Sequence, residues 1–353
     1  MRPERPPLPD LAAFDEIIDV RSPDEFAEDH IPGAINCPVL DNDQRVEVGT
    51  LYKQVSPFVA KKIGAAMVSE NIGRHLRERF LDRPRTWKPL IYCWRGGNRS
   101  GAMTTVFRAI GWHAAQLDGG YKTWRNHVVG ELATLPQRFR FRVVCGATGS
   151  AKTRILQDIA RLGEQVLDLE TLASHKGSVL GVLPGQPQPG QKWFETTLLQ
   201  ALAGCDPARP VYVEAESRKI GNLQVPEALI ACIRQGECVE VAATPDARVA
   251  FLLTDYDYFL AMPEVLLRRL DALRALQSRD TLARWRGLVD AGEWPALVRE
   301  LLEQHYDPLY RRSQERNFSG FQHPQVFTTD DLSPPGIARL AAAIVHSRTA
   351  QMA

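Results

Sequence analysis

At 353 residues, 44% hydrophobic and 24% charged, the chain has the composition of a folded protein with room for two domains. A formal net charge of +1 excludes a strongly basic nucleic-acid coat, so any RNA contact has to come from a local patch. Cys37, Cys93, Cys145, Cys205, Cys232 and Cys238 are scattered without CxxC spacing, the stretch MRPERPPLPDLAAF lacks a signal-peptide core, and no apolar run reaches membrane-spanning length. The chain reads as a cytoplasmic protein with reduced thiols and no membrane partner.

In chain order, EIIDV (16–20) reads as a strand, PLIYC (89–93) as a second, and HAAQLDGG (113–120) as a third that runs into a double-glycine turn. Helical patterns fill the gaps, notably over 57–80 and 100–110, and this alternation predicts a parallel sheet. The register breaks at Pro136. A second series opens with FRVVCG (141–146) and continues through QVLDLE (165–170), VYVEAE (211–216), CVEVAA (238–243) and QVFTTD (325–330). PGQPQPG (184–190) reads as a loop, and about 260–316 is helical with no strand candidate. The expected fold class is α/β in two parts: a parallel-sheet domain over 1–135 and a second α/β domain over 136–353 with a helical insertion.

IYCWRGGNRSG (91–101) puts Cys93 at the end of a strand candidate, with the helix-like SGAMTTVFRAIGW seven residues on. A thiolate is the reactive form of cysteine, and neighbouring cations and a helix N-terminus favour it. Gly96 and Gly97 permit the positive φ of a backbone nest, with Arg95, Asn98 and Ser100 completing the loop. Arg99 offers two parallel donors to an oxyanion. The bland alternative is a buried structural cysteine before an ordinary turn.

This region resembles the rhodanese family. DVRSPDEFAEDHIPGAIN (19–36) is similar to the family's early signature, with Asp29 where a glycine is usual, and DGGYKTW (118–124) to its late one. The resemblance implies a rhodanese-like fold and sulfur or selenium carried on the loop cysteine. Five residues separate Cys93 from Arg99, one more than in many sulfur-transferring members and the length found in related phosphatases. A phosphorylated chalcogen donor and a Cdc25-like phosphatase, or a sulfurtransferase, coupled to a nucleotide-binding domain therefore both stay open. Asp19 and Arg21 read as a strand-end ion pair buttressing the loop.

GATGSAKT (146–153) lies between a strand and the helical RILQDIARLG, the setting of a P-loop. Gly146, Gly149 and Ser150 would wrap a diphosphate, Lys152 would reach its outer oxygens, and Thr153 would ligate Mg²⁺. Ala151 stands where the motif expects glycine; in a left-handed conformation its methyl costs about 1–2 kcal/mol. Glu214 and Glu216 share strand parity and are Walker-B-like candidates, with Asp168 and Glu170 at the next strand's edge. Each of these carboxylates has a helix-capping reading beside the functional one.

Taken together the two parts resemble the tRNA 2-selenouridine synthase family from about residue 16 to 312. LDNDQRVEVGTLYKQ (40–54), CWRGGNRS (93–100), DLETLASHKGSVLG (168–181), EAESRKIG (214–221) and HYDPLYRR (305–312) carry the likeness. The resemblance implies a rhodanese-like domain joined to a P-loop NTPase-like domain. It also implies conversion of wobble 2-thiouridine in tRNA to 2-selenouridine through an S-geranyl intermediate, with geranyl diphosphate and selenophosphate as substrates. Mg²⁺ is a candidate metal, a selenophosphate synthetase a candidate partner, and no tightly bound cofactor is expected. His175, Lys176, Arg218, Tyr306, Asp307 and Tyr310 are substrate candidates; a surface loop, for the SHKGS residues, and core packing, for the tyrosines, remain alternative readings. Residues 268–316 hold ten arginines, Arg268, Arg269, Arg311 and Arg312 among them, against eight acids, either a phosphate track or a salt-bridged face.

Overall fold

Strands with every residue buried fix the two sheets. Pro89–Tyr92, Phe141–Cys145 and Val211–Glu214 are buried along their whole length, as strands covered on both faces by helices must be. The structure, a computed structural model, describes residues 8–178, 180–182 and 185–351. The first seven residues of the N-terminal stretch, and Pro184 of the expected loop, lie outside the described residues. The chain forms two compact units, Met1–Glu131 and Leu132–Ala353.

In the first unit, β1 (Glu16–Asp19), β2 (Ile35–Asn36), β3 (Pro89–Tyr92) and β4 (Ala115–Gln116) form a parallel sheet in the order β2-β1-β3-β4. Its helices are α1 (Pro23–Glu28), α2 (Asn42–Gln54), α3 (Pro57–His75), α4 (Asn98–Ile110) and α5 (Tyr121–Thr134). Helix α3 loosens into a wider turn over Leu76–Phe80. Phe80, Trp87, Phe107 and Trp112 pack with ring centroids 5.0–5.7 Å apart at the floor of the core. The third expected strand shrinks to two residues, because the chain leaves the sheet at Leu117 to turn toward the Cys93 loop.

The second unit has a five-stranded parallel sheet in the order β11-β10-β5-β7-β6. Its strands are β5 (Phe141–Cys145), β6 (Gln165–Leu167), β7 (Val211–Glu214), β10 (Glu237–Ala243) and β11 (Gln325–Thr329); β8 (Lys219–Ile220) and β9 (Leu223–Gln224) make a small antiparallel hairpin that the sequence reading lacked. Helices α6 (Lys152–Arg161), α7 (Leu169–Leu172), α8 (Gln191–Ala203), α9 (Glu227–Arg234) and α10 (Pro245–Asp255) follow the strands. Helices α11 (Asp257–Ala261), α12 (Pro263–Asp271), α13 (Arg279–Asp290), α14 (Trp294–Leu301) and α15 (Asp307–Asn317) build the helical insertion, and α16 (Pro334–Gln351) ends the fold. The insertion has its own core of Leu266, Leu270, Leu273, Trp285, Leu297 and Leu301, separate from the cluster under the sheet where Ile155, Ile159, Ile337 and Ile344 meet. Among the described residues no helix is long and apolar enough to cross a membrane.

Candidate functional site

Two loops at strand C-terminal ends hold most of the expected site residues. In the first unit Cys93 follows β3 directly and is 2% exposed. Gly96 and Gly97 take φ of 78° and 77°, and α4 begins at Asn98, five residues after the cysteine rather than the expected seven. Among the described residues, no backbone hydrogen bond within the protein uses the amides of Gly96, Gly97, Asn98 or Arg99, which leaves donors for an anion at the helix start. Ser100 Oγ donates to Cys93 Sγ at 3.3 Å, and Gln116 Nε2 donates to both Gly97 O and Ser100 Oγ at 2.9 Å.

The late glycine pair holds this loop from behind. The Tyr121 amide donates to Cys93 O at 2.7 Å, and a Cβ on Gly120 would fall 2.3 Å from that same oxygen. Only glycine fits there. Asp19 and Arg21 form a fully buried ion pair at 2.6 Å, and Arg21 also donates to Asp29 O and lies 4.0 Å from the Tyr121 ring centre. Asp29, in the usual glycine position, is buried in ordinary extended backbone and accepts from the Tyr121 hydroxyl at 2.7 Å.

Arg99 does not lie free above the loop. Its two terminal nitrogens donate to Glu25 at 2.6 and 3.1 Å. Burial pushes the Glu25 carboxyl up, but Arg99, the Ser22 amide and Arg45 outweigh it and hold it below its usual range. The sequence reading passed over Glu25, although Ser22-Pro-Asp-Glu25 is a visible capping box.

In the second unit the P-loop joins β5 to α6. Ala151 adopts φ 59° and ψ 26°, so its methyl sits in the strained left-handed region. Lys152 Nζ donates to Gly146 O at 2.8 Å, the Gly146 amide donates to Tyr310 Oη at 2.5 Å, and Ser150 is buried. Thr153 Oγ1 donates to Glu170 at 2.5 Å, and the Glu170 amide donates to Glu214 at 2.7 Å. Burial, with the neighbouring carboxylates, raises Glu214 well above the ordinary range; burial and then the Glu170 charge push Glu216 up to about 8. Burial raises Glu170 as well, against the pull of Thr153 and Lys152.

The loop after α7 closes over these acids. Gly177, at φ 65°, comes so near that a Cβ would lie 2.4 Å from Glu216 Oε1 and 2.7 Å from Glu170 Oε1. A cavity of about 470 Å³ results, lined by Lys152, Thr153, Glu170, His175, Lys176, Glu216, Tyr256, Tyr306 and Tyr310. A second, narrow pouch shares Thr148, Ser178, Leu252, Tyr256 and Tyr306 with it and is otherwise walled by Leu180, Phe259, Leu266, Trp294, Leu297, Val298 and Leu301. Polar cavity and apolar pouch adjoin, with the first five of these residues common to both.

Residues 8–127 match the rhodanese-like domain, and residues 139–279 match the tRNA 2-selenouridine synthase AAA domain. A tRNA 2-selenouridine synthase of Alcanivorax borkumensis is 31% identical over 329 residues, which cover 83% of this chain and 88% of that one. The chain belongs to the tRNA 2-selenouridine synthase family. The Nitrosomonas europaea tRNA 2-selenouridine synthase is 36% identical over 247 residues, 68% of this chain, and the match spans 63% of that relative's length.

For this tRNA 2-selenouridine synthase family member the fold therefore separates the expected residues. Gly149, Lys152, Thr153, Glu216, His175, Lys176, Tyr306 and Tyr310 meet at one cavity. Asp168 does not join them: both its oxygens accept from Thr171, at 2.8 and 2.7 Å, so it caps α7. The strand stops at Glu214, whose side chain is wholly buried and braces Glu170, and the chain turns so that Glu216 reaches the cavity from beyond the strand. Arg218 is an exposed partner of Glu227 at 3.1 Å, away from the cavity. Asp307 pairs with Arg248, a buried residue no local motif announces. Of the ten arginines, Arg274, Arg284, Arg286 and Arg299 are in ion pairs, whereas Arg311 and Arg312 are exposed and have none among the described residues.

Proposed function

We propose that the chain is a transferase that converts wobble 2-thiouridine in tRNA to 2-selenouridine in two steps, S-geranylation followed by replacement of the geranylthio group by selenium. The observation that carries the reading is that the P-loop cavity adjoins the apolar pouch and shares Thr148, Ser178, Leu252, Tyr256 and Tyr306 with it. A nucleoside triphosphate would bring a polar base and ribose against leucine and tryptophan walls, leaving hydrogen-bonding groups desolvated and unpaired. Geranyl diphosphate instead matches both parts, an anionic head at Lys152 and a hydrocarbon tail among Leu266, Trp294, Leu297 and Val298. The pouch has about 70 Å³ of free space, so seating the tail requires its side chains to part.

Sulfur at C2 leaves poorly until alkylated, after which it departs as a thiol. Lys152 and the P-loop amides would neutralise the departing diphosphate. The oxygen donors Thr153 and Glu170 suit Mg²⁺, a hard cation that completes its shell with phosphate and water. Thr153 Oγ1 would hold it, Glu170 orienting the hydroxyl, and the ion would add positive charge at the diphosphate. Ala151 fits this use, because binding a diphosphate need not preserve an apparatus for nucleotide hydrolysis.

The Cys93 loop is assigned to selenophosphate, its open amides and the Cys93 thiol at the centre. A selenophosphate synthetase would be the natural supplier. The competing phosphatase needs an acid beside the leaving group, and the side chain hydrogen-bonded to Sγ is Ser100, itself held by Gln116. The test is reconstitution with 2-thiouridine RNA, geranyl diphosphate and selenophosphate, each omitted in turn, with nucleosides identified by mass. S-geranyl-2-thiouridine should appear without selenophosphate and 2-selenouridine only with both donors; 2-selenouridine at full yield without geranyl diphosphate would sink the two-step scheme.

A further inference from the structure

S-alkylation of a 2-thiouracil leaves a proton to be placed, and His175 is a side chain of the cavity suited to take it. His175 is 4% exposed yet lines the cavity with Lys152, Glu216, Tyr256 and Tyr310. Among the described residues its ring makes no hydrogen bond, and Nδ1 is a buried polar atom without a partner. Two other buried histidines each have a ring contact that His175 lacks: His75 Nε2 bonds to Pro38 O at 2.9 Å, although its Nδ1 is also without a partner, and His305, which lines the same cavity, meets Gln277 through Nδ1.

The backbone holds the ring in place at some cost. Ser174, immediately before it, has φ 48°, one of two non-glycine residues in the left-handed region among the described residues; the other is Ala151 of the P-loop. Such strain persists where surrounding structure imposes it, and it gathers at functional sites. The His175 amide donates to Glu170 O at 3.0 Å, the residue bridges to Val182, and Lys176 is anchored to Asp255 at 2.6 Å. Burial first, and then the charge of Arg269 from α12, lower the imidazole from its ordinary range, so the ring is neutral at pH 7 and free to accept.

We propose that His175 is the base that removes the N3 proton of the thiouracil as its sulfur is prenylated. This rests on the two-step reading above. The C2 sulfur forms a bond to C1 of the geranyl group while the C1–O bond to diphosphate breaks and the diphosphate leaves with that electron pair. The N3–H pair becomes the C2=N3 double bond, C2=S becomes C2–S, and the proton passes to the imidazole. No redox partner is needed, and the charges that change lie on diphosphate and imidazole.

The experiment is single-turnover S-geranylation of 2-thiouridine RNA, followed from pH 5.5 to 9 for the wild type, His175→Gln, His175→Ala and Glu216→Gln, with geranyl diphosphate Kd measured alongside. Wild-type rates should fall on the acid side as the imidazole protonates. His175→Gln should be slower by about 10²–10⁴-fold, without the acid limb and with Kd within twofold, and added imidazole should restore part of the rate to His175→Ala. The proposal is overturned if His175→Gln keeps the wild-type rate and acid limb, if its loss lies wholly in Kd, or if Glu216→Gln alone removes the limb. A wild type that forms no S-geranyl nucleoside would instead strike the two-step reading itself.

Discussion

Asp307 receives both terminal nitrogens of Arg248, at 3.0 and 2.5 Å, while Arg248 Nε donates to Thr148 O at 2.8 Å. One guanidinium thus ties the backbone of the P-loop to the first turn of α15, the helix whose Tyr310 also meets Gly146. Breaking a buried ion pair costs about 3–5 kcal/mol. The Asp307 side chain is 36% exposed against 7% for Arg248, so solvent absorbs part of that. Asp307→Asn should lose about 1–3 kcal/mol in a denaturant titration and weaken diphosphate binding. A change in neither quantity would mean the pair is incidental.

Ala151 carries a strain that glycine would release. The left-handed penalty of about 1–2 kcal/mol exceeds the roughly 0.4–1 kcal/mol that glycine forfeits through a freer unfolded chain. Ala151→Gly should therefore raise stability by some tenths of a kcal/mol to about 1 kcal/mol. A lower melting temperature than the parent would show that the methyl, buried against the core, contributes more by packing than it loses by conformation.

Glu216 links the site to pH. Its folded-state pKa lies at about 8, above the value of a free glutamate, chiefly through burial and then the Glu170 charge. A carboxyl raised in this way favours the folded state below its unfolded pKa, and that contribution is lost as pH rises through the folded value. Relative to Glu216→Gln, the wild type should lose stability steadily between about pH 5 and 8. Parallel stability curves for the two proteins over that window would contradict the assigned environment.

Head and tail of the proposed donor can be separated by substitution. Lys152→Ala should weaken both inorganic diphosphate and geranyl diphosphate by tenfold or more, as expected for a lost charge-assisted contact of about 1.5–3 kcal/mol. Val298→Phe, at a half-buried wall of the pouch, should weaken geranyl diphosphate while leaving inorganic diphosphate unchanged. Equal effects of Val298→Phe on the two ligands, by calorimetry, would remove the tail from the pouch.

In the proposed scheme Cys93 serves the second step only. Cys93→Ala should abolish selenium incorporation while S-geranyl-2-thiouridine accumulates, read by mass spectrometry of digested RNA. Undiminished 2-selenouridine from this variant would take the thiol out of the chemistry.

Both glycine-rich loops were legible in the sequence because each is made by contiguous backbone. The order strand, glycines, cation, helix is a local pattern, and the positive φ of Gly96, Gly97 and Gly149 is written into residue type. The ends of the strands were harder. Whether Asp168 and Glu216 extend a strand or leave it depends on helix capping and on how far the neighbouring strand runs, and the readings of 165–170 and 211–216 each ran past the observed end.

By itself the sequence determined the α/β class, the two glycine-built cradles and the kinship that the matching relatives display, since these rest on short-range geometry and residue identity. Tertiary structure alone decided that Glu25, 74 positions away, holds Arg99, that Arg248 braces the P-loop against Asp307, that Asp168 caps a helix, and that a leucine-walled pouch adjoins the P-loop cavity. Such pairings are settled when distant helices bury their apolar faces against one another, and packing of that kind leaves no fixed spacing along the chain.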